Sequence, residues 1–259
     1  MKLLDLIKKI ESTFLLEDAC AWDFVGWQVK TTKDNLKIKE VLIALDVTND
    51  VIAVAIKAKI KLIICHHPFI FAPNLNDKTV NETKKELYQK LVKNQINVYV
   101  LHTNFDKNLN GMNWLIAKDL KFNDIKYFDQ DKLAVLGQYS NLPLTEIIKN
   151  LKNYFTLEQV KVITSDLKVK INNVLLVSGA GGSIIETISN HQMIDLFITG
   201  EMKWHQELEA RDKNINVIIL GHNMEEKFVN FVSEFLLSDN LIKKNLIVKQ
   251  YFLPKANFI

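Results

Sequence analysis

Two adjacent histidines, His66 and His67, close the apolar run Leu62-Ile63-Ile64-Cys65 and stand before Pro68. The arrangement recurs along the chain. Of the six histidines, five lie in or beside short polar strings that each end an apolar run. These strings are His66-His67-Pro68, His102-Thr103-Asn104-Phe105-Asp106, Gly200-Glu201 with His205, and Gly221-His222 followed by Glu226. Imidazole nitrogen and carboxylate oxygen are donors suited to Zn, Mn or Fe, and no thiolate is needed to complete the set. Three histidines with two carboxylates match a two-metal hydrolytic centre, in which ions about 3.5–4 Å apart polarise a substrate oxygen and activate a water.

Each string also has a plainer reading. Neighbours in extended chain point opposite ways, so the histidine doublet suits two adjacent ions, or one ion and a bend imposed by Pro68. A loop turn with a capping role is its alternative. His222 and Glu226, at i and i+4, share one face at the start of a helix, where the helix N-terminus favours a carboxylate. The same spacing is common among surface neighbours. His102 and Asp106 repeat it in what reads as a loop, with Asp106 as anionic ligand and His102 as ligand or its support. Cys65 ends an apolar run and reads as a buried, inert thiol. The glycine-rich stretch Val177-Ser178-Gly179-Ala180-Gly181-Gly182-Ser183 either presents backbone N–H groups to an anion or makes a tight structural turn. It lacks the lysine of a P-loop. Trp22, Phe24 and Trp27 read as core or interface, with a stacking surface for a base as the alternative.

Positioning these residues requires strands. Strand-like runs at 41–45, 61–65, 98–101, 133–136, 159–164, 173–177, 195–199 and 215–220 alternate with helix-like segments at 48–59, 81–94, 111–120, 143–155, 183–190, 202–211 and 225–237. Continuous apolar strands alternating with helices predict an α/β fold of two lobes, with mainly parallel sheets flanked by helices. The polar connector 123–131 divides residues 1–127 from 128–259. The tail 244–259 carries strand-like pieces that pair back onto a sheet. In open α/β sheets ligands gather beyond the carboxyl ends of the strands, where His66, His102, Gly200 and His222 all fall. The expected metal site therefore lies in the cleft between the lobes.

Bulk properties narrow the function classes. The chain has 259 residues, 48% hydrophobic and 24% charged, with a formal net charge of +3, which is ordinary for a globular protein. Arg211 is the one arginine, so the bidentate fork favoured for phosphate and guanine is scarce, and nucleic acid is not the expected partner. Two cysteines without CxxC spacing give no disulfide framework and fit a reducing cytoplasm. Asp5, Lys8 and Lys9 break up any leader-like apolar core at the start, where Leu3, Leu6, Ile7 and Ile10 make a helical face instead. No membrane span is expected.

Taken together, the strings resemble the Nif-three-like family, also called GTP cyclohydrolase 1 type 2 homologs, over nearly the whole chain. Trp22-Asp23-Phe24-Val25-Gly26-Trp27-Gln28-Val29-Lys30 is similar to the family's WDNxGLQVG opening, with Phe24, Trp27 and Lys30 departing from it. Leu45-Asp46-Val47-Thr48 resembles LDxT, His66-His67-Pro68-Phe69-Ile70-Phe71 resembles HHPxxF, and His102 to Asp106 resembles HTNLD. Thr199-Gly200-Glu201 with His205 resembles TGE…H, and Gly221-His222 through Glu226 resembles GHxxxE. The resemblance implies that His66, His67, Asp106, His222 and Glu226 bind two divalent cations per chain, Glu226 bridging. It implies that His102, Glu201 and His205 line the pocket as catalytic groups, and that the chain forms a hexameric ring. The expected function is a dinuclear metal-dependent hydrolase acting through an activated water on a nucleotide-like or other small molecule. The alternative is a metal-stabilised oligomeric adaptor in DNA repair or transcriptional regulation.

Overall fold

A computed structural model describes residues 1–188 and 193–254. Its strands are β1 (Gly26–Val29), β2 (Glu40–Ala44), β3 (Leu62–Cys65), β4 (Asn97–Val100), β5 (Asn123–Tyr127), β6 (Val135–Pro143), β7 (Lys161–Ile163), β8 (Lys170–Val177), β9 (Leu196–Thr199), β10 (Asn216–Ile219) and β11 (Ile247–Gln250). They form two sheets flanked by helices, as the α/β reading expects.

The first compact unit joins residues 1–105 to residues 226–259. Its sheet has the order β1-β4-β3-β2-β11. β11, β2, β3 and β4 run parallel, and β1 pairs antiparallel with β4. β3 and β4 are buried along their whole length, which is why their sequences are apolar without alternation. Helix Asn49–Lys57 crosses from β2 to β3, its first turn capped by Thr48, whose hydroxyl accepts from the Val51 N–H. Helix Glu82–Lys93 crosses from β3 to β4, capped in the same way by Asn81. Leu87 and Leu91 of that helix pack with Val51, Ile63 and Val98 in one core cluster.

The second unit spans residues 106–225, with sheet order β5-β6-β8-β9-β10-β7. Only β8, β9 and β10 are parallel here; β5, β6 and β7 extend the sheet by antiparallel pairing. The expectation of mainly parallel sheets thus describes the first unit, while the second is mixed.

The structure departs from the sequence reading at the connector, at the division of the chain and at one helix. The connector 123–131 is not a boundary, because Asn123–Tyr127 is an edge strand hydrogen-bonded to β6. It is partly or fully exposed throughout, and an edge strand facing water carries no apolar run to betray it. A single cut at 127/128 also overlooks the return of the tail, since β11 pairs in parallel with β2 and brings residues 226–259 into the first unit. In place of the helix at 183–190 there is a 3-10 helix, Gly181–Thr187. Residues 189–190 of that expected helix, and 255–259 of the expected tail pairing, lie outside the described residues.

Asn97 fastens the start of β4. Its Oδ1 accepts from the N–H groups of Thr31 and Thr32, and its Nδ2 donates to the Lys61 carbonyl and the Thr32 hydroxyl. The residue is fully buried. Asn97→Ala strands these groups, each at a cost of about 1–3 kcal/mol. The urea midpoint should therefore fall by an amount equivalent to roughly 2–4 kcal/mol, and an unchanged midpoint would show that the clamp is dispensable.

Candidate metal centre

Three neighbouring strands of the first unit stop in step. Ala44, Cys65 and Val100 stand opposite one another across β2, β3 and β4. The residues just beyond are Asp46, the pair His66–His67, and His102. Backbone bonds carry the alignment past the strand ends: His66 and His67 both donate N–H to the Leu45 carbonyl, and Leu101 donates to that of Cys65. The imidazole centroids of His66 lie 5.2 Å from His67 and 5.0 Å from His102. One ring nitrogen from each of the three lies within 4.8 Å of the others, a spacing that could hold a metal ion.

Each histidine is oriented through Nδ1. That of His66 lies 2.8 Å from the Leu101 carbonyl, that of His67 2.9 Å from Asp46 Oδ1, and that of His102 2.8 Å from Asp23 Oδ1. A carbonyl oxygen and an ionised carboxylate only accept, so all three Nδ1 atoms carry hydrogen, which leaves Nε2 as the nitrogen each ring can offer to a metal ion. This is the support that metal-ligating histidines take from carbonyls and carboxylates. The donor chemistry fits a divalent cation. His66 is fully buried, its ring 5.0 Å from Phe228 and 6.1 Å from Phe105.

The two carboxylates are held ionised. Burial alone would raise the Asp23 pKa, but hydrogen bonds from His102 and Thr103 and the charge of His102 hold it at about 2. Burial likewise opposes ionisation of Asp46, and the bond and charge of His67, with Lys84 and His66, bring its pKa below the ordinary value. Thr103 donates N–H and hydroxyl to Asp23 while accepting from the Cys20 N–H. Asn104 accepts the His102 N–H and donates to the Phe14 carbonyl. Phe105 is buried in the core, and Asp106 is buried at the end of the short helix Thr103–Asp106. Each residue from His102 to Phe105 therefore has a task. Cys65 is fully buried and burial pushes its thiol up, as expected of an inert residue.

The second unit repeats the device. Val177, Thr199 and Ile219 stand opposite one another across parallel β8, β9 and β10, and glycines follow at 179, 200 and 221. Their closeness is physical: a Cβ on Gly200 would fall 2.6 Å from the Gly179 carbonyl oxygen. Glu201 and Gly179 are joined by a backbone bond, as are Gly182 and Glu201. The Gly182 N–H is thus used within the turn, and the glycine-rich stretch is latched to the segment after β9 by these two bonds. Gly179 has φ +61° and lies against the Glu225 carboxylate, where a side chain would collide.

His222 sits between two carboxylates, with Nδ1 3.2 Å from Glu201 Oε1 and Nε2 3.0 Å from Glu225 Oε2. A neutral imidazole offers one donor and one acceptor, so two carboxylate contacts call for a cation, either the second proton or a metal ion. Glu225 escaped the sequence reading. His222–Glu226 is a 3-10 helix, whose period aligns i with i+3, whereas the expected i, i+4 pairing presumes an α-helix. Glu226 accepts the Leu253 N–H at 3.0 Å. His205 is two-thirds exposed on helix Trp204–Asp212 and faces Glu186 at 3.6 Å. Among the sequence-predicted residues, the structure brings His66, His67 and His102 together, and Glu201 with His222. Asp23 and Asp46, the orienting carboxylates, lay within quoted strings but were not singled out.

The profile of the Duf34/NIF3 (NGG1p interacting factor 3) family matches residues 1–256. The chain is 31% identical over 250 residues to a GTP cyclohydrolase 1 type 2 homolog of Mycoplasmopsis pulmonis, covering 94% of this chain and 95% of that one. Among solved structures, a hypothetical protein of Staphylococcus aureus superposes with TM-score 0.85 at 23% identity, covering 100% of this chain and 99% of the other, a likeness of fold. Reduced HcgD from Methanocaldococcus jannaschii superposes with TM-score 0.83 at 25% identity, covering 96% and 97%.

Removing an orienting carboxylate should loosen the donors without touching them. Asp23→Ala and Asp46→Ala are expected to weaken Zn²⁺ or Mn²⁺ binding by about 10–100-fold in calorimetric titration. Because the folded pKa of Asp23, about 2, lies below its unfolded value of about 3.9, its contribution to stability is complete above that unfolded value and is lost as pH falls toward the folded one. Asp23→Ala should accordingly flatten the acid limb of a stability–pH profile, and a profile of wild-type slope would refute the assignment.

Proposed function

The chain belongs to the Duf34/NIF3 family, and on that premise we propose that it is a divalent-metal-dependent hydrolase holding two cations, Zn, Mn or Fe. The observation that carries the reading is the locking of three Nδ1 atoms by Leu101, Asp46 and Asp23, which leaves Nε2 of His66 and His67 for a metal ion and that of His102 for the reacting groups beside it. The proposed ligands are His66, His67, Asp106, His222 and Glu226, with Glu225 added because it already contacts His222. Bound cations supply Lewis acidity and a water of lowered pKa. The remaining groups are this chain's own contribution. Glu201 holds or passes a proton through its contact with His222 Nδ1, and His205, exposed beside Glu186, exchanges protons with solvent. His102, fixed by Asp23, sets the edge of the site nearest Trp22 and Phe71.

The substrate proposed is a nucleotide-like or other small molecule, in keeping with the name carried by the Mycoplasmopsis relative. A cavity of about 520 Å³ beneath Glu201, lined also by Lys161, Ser183 and Gln206, is large enough to receive part of it. We further propose a hexameric ring and a cytoplasmic setting, the latter from a sequence with two cysteines and no CxxC spacing. No helix among the described residues is long and apolar enough to cross a membrane.

Elemental analysis of untagged protein should return about two transition-metal ions per chain, and light scattering the mass of a hexamer. A hydrolysis screen over nucleotides and phosphoesters then supplies the assay. Glu201→Gln and His205→Ala should keep metals and assembly while turnover drops by about 10²–10⁴. Turnover indifferent to both changes would refute their roles, and protein purified without metal, and unable to take it up, would refute the hydrolase.

A further inference from the structure

We propose that Trp22 and Phe71 form a stacking platform for a planar heteroaromatic ring beside His102, an inference that deepens the hydrolase reading and rests on it for its setting. Trp22 is 55% exposed and Phe71 56%, although both are large aromatic side chains that ordinarily gain by burial. Their centroids lie 6.0 Å apart with planes 30° from parallel. Both also approach the His102 imidazole nearly edge to face, at 6.1 and 6.3 Å. The pair therefore walls one side of the histidine trio.

The wall is stiff. Trp22 precedes Asp23, whose buried carboxylate is bound by His102 and Thr103. Phe71 follows Ile70, whose N–H and carbonyl are both engaged by the Gln28 amide. The same amide also donates to the Phe24 carbonyl at 2.8 Å, so one side chain ties the two aromatic loops together. Phe24 braces Phe71 edge-on at 5.8 Å. Two exposed rings on a clamped backbone are arranged for a ligand in advance of its arrival.

Geometry also sets how the ligand lies. A ring inserted between Trp22 and Phe71 would need about 7 Å, twice the ~3.5 Å contact distance, which exceeds their 6.0 Å separation. The ligand ring must stack on the outer faces. Phe24 also lines a cavity of about 460 Å³, with Trp27, Gln28, Asn74 and Tyr88, which has room for the ligand's remaining atoms. A second protein chain seated on the wall would instead cover His102. Stacking reads a π-face and no particular base, so the platform selects planar rings as a class.

Calorimetric titration of the metal-loaded protein with adenosine and guanosine, and with ribose as a non-planar control, tests this. Both nucleosides should bind and ribose should not. Trp22→Ala and Phe71→Ala should weaken nucleoside binding by about 5- to 150-fold, Trp22→Phe should retain most of it, and metal content should match wild type throughout. Nucleosides that fail to bind wild type at millimolar concentration, or that bind the alanine variants equally well, would overturn the platform. So would alanine variants whose mass in light scattering drops, since the wall would then be a contact between copies. Nucleoside binding by protein that is unable to take up metal would support the platform while removing the hydrolase reading.

Discussion

The shared stopping point of β2, β3 and β4 is the constraint on which the candidate centre depends. Parallel strands paired as Ala44, Cys65 and Val100 must deliver their next residues to one end of the sheet, and those residues are Asp46, His66, His67 and His102. The pairing brings ring nitrogens of His66 and His102, 36 residues apart in the chain, within 4.8 Å of each other. The second unit reaches a similar result at Val177, Thr199 and Ile219, with glycines in place of bulk where the turns must touch. Short crossover helices with side-chain caps keep the strands in step, so helix capping by Thr48 and Asn81 is linked to ligand placement.

Register gives proximity, but hydrogen bonding decides what the histidines can do. Three imidazoles crowded at 5.0 to 5.9 Å would repel one another if protonated, and each would be an indifferent ligand if free to rotate. Acceptors at Leu101, Asp46 and Asp23 remove the second freedom by fixing ring orientation and the Nδ1 proton. Ionised Asp23 and Asp46 add negative charge behind the rings, which raises the basicity of the nitrogens they orient. The string from His102 to Asp106 can be understood as one piece: oriented imidazole, anchor for the acid, turn-forming amide, core ring and buried carboxylate.

Much of this was legible in the sequence. Apolar runs ending in histidine predicted both the strands and the end of the sheet that matters, because a strand buried on two faces carries few polar residues until it stops. The tail's return was anticipated from Leu246-Ile247-Val248, and β11 pairs there with β2. What escaped the reading is what leaves little trace in composition. Asn123–Tyr127 is a strand at a wetted edge, and β1 lies within the aromatic opening. Glu225 was passed over because a 3-10 turn and an α-turn differ by one residue in which neighbour faces His222. The orienting role of Asp23 depends on a bond spanning 79 residues, and no local pattern reports such a distance.

The parallel pairing of β11 with β2 has a consequence for biosynthesis. The second unit is one uninterrupted stretch of chain, whereas the first opens the sequence and closes it. On a ribosome the nascent chain would expose the first unit's β2 edge throughout translation of everything that follows. The later-made unit can finish folding while the earlier one still waits for its outermost strand. The histidine trio, though encoded before residue 103, is thus assembled on a sheet completed only when Ile247–Gln250 emerges from the exit tunnel. Premature termination near the end would leave an open strand edge, the kind of surface on which newly made chains aggregate.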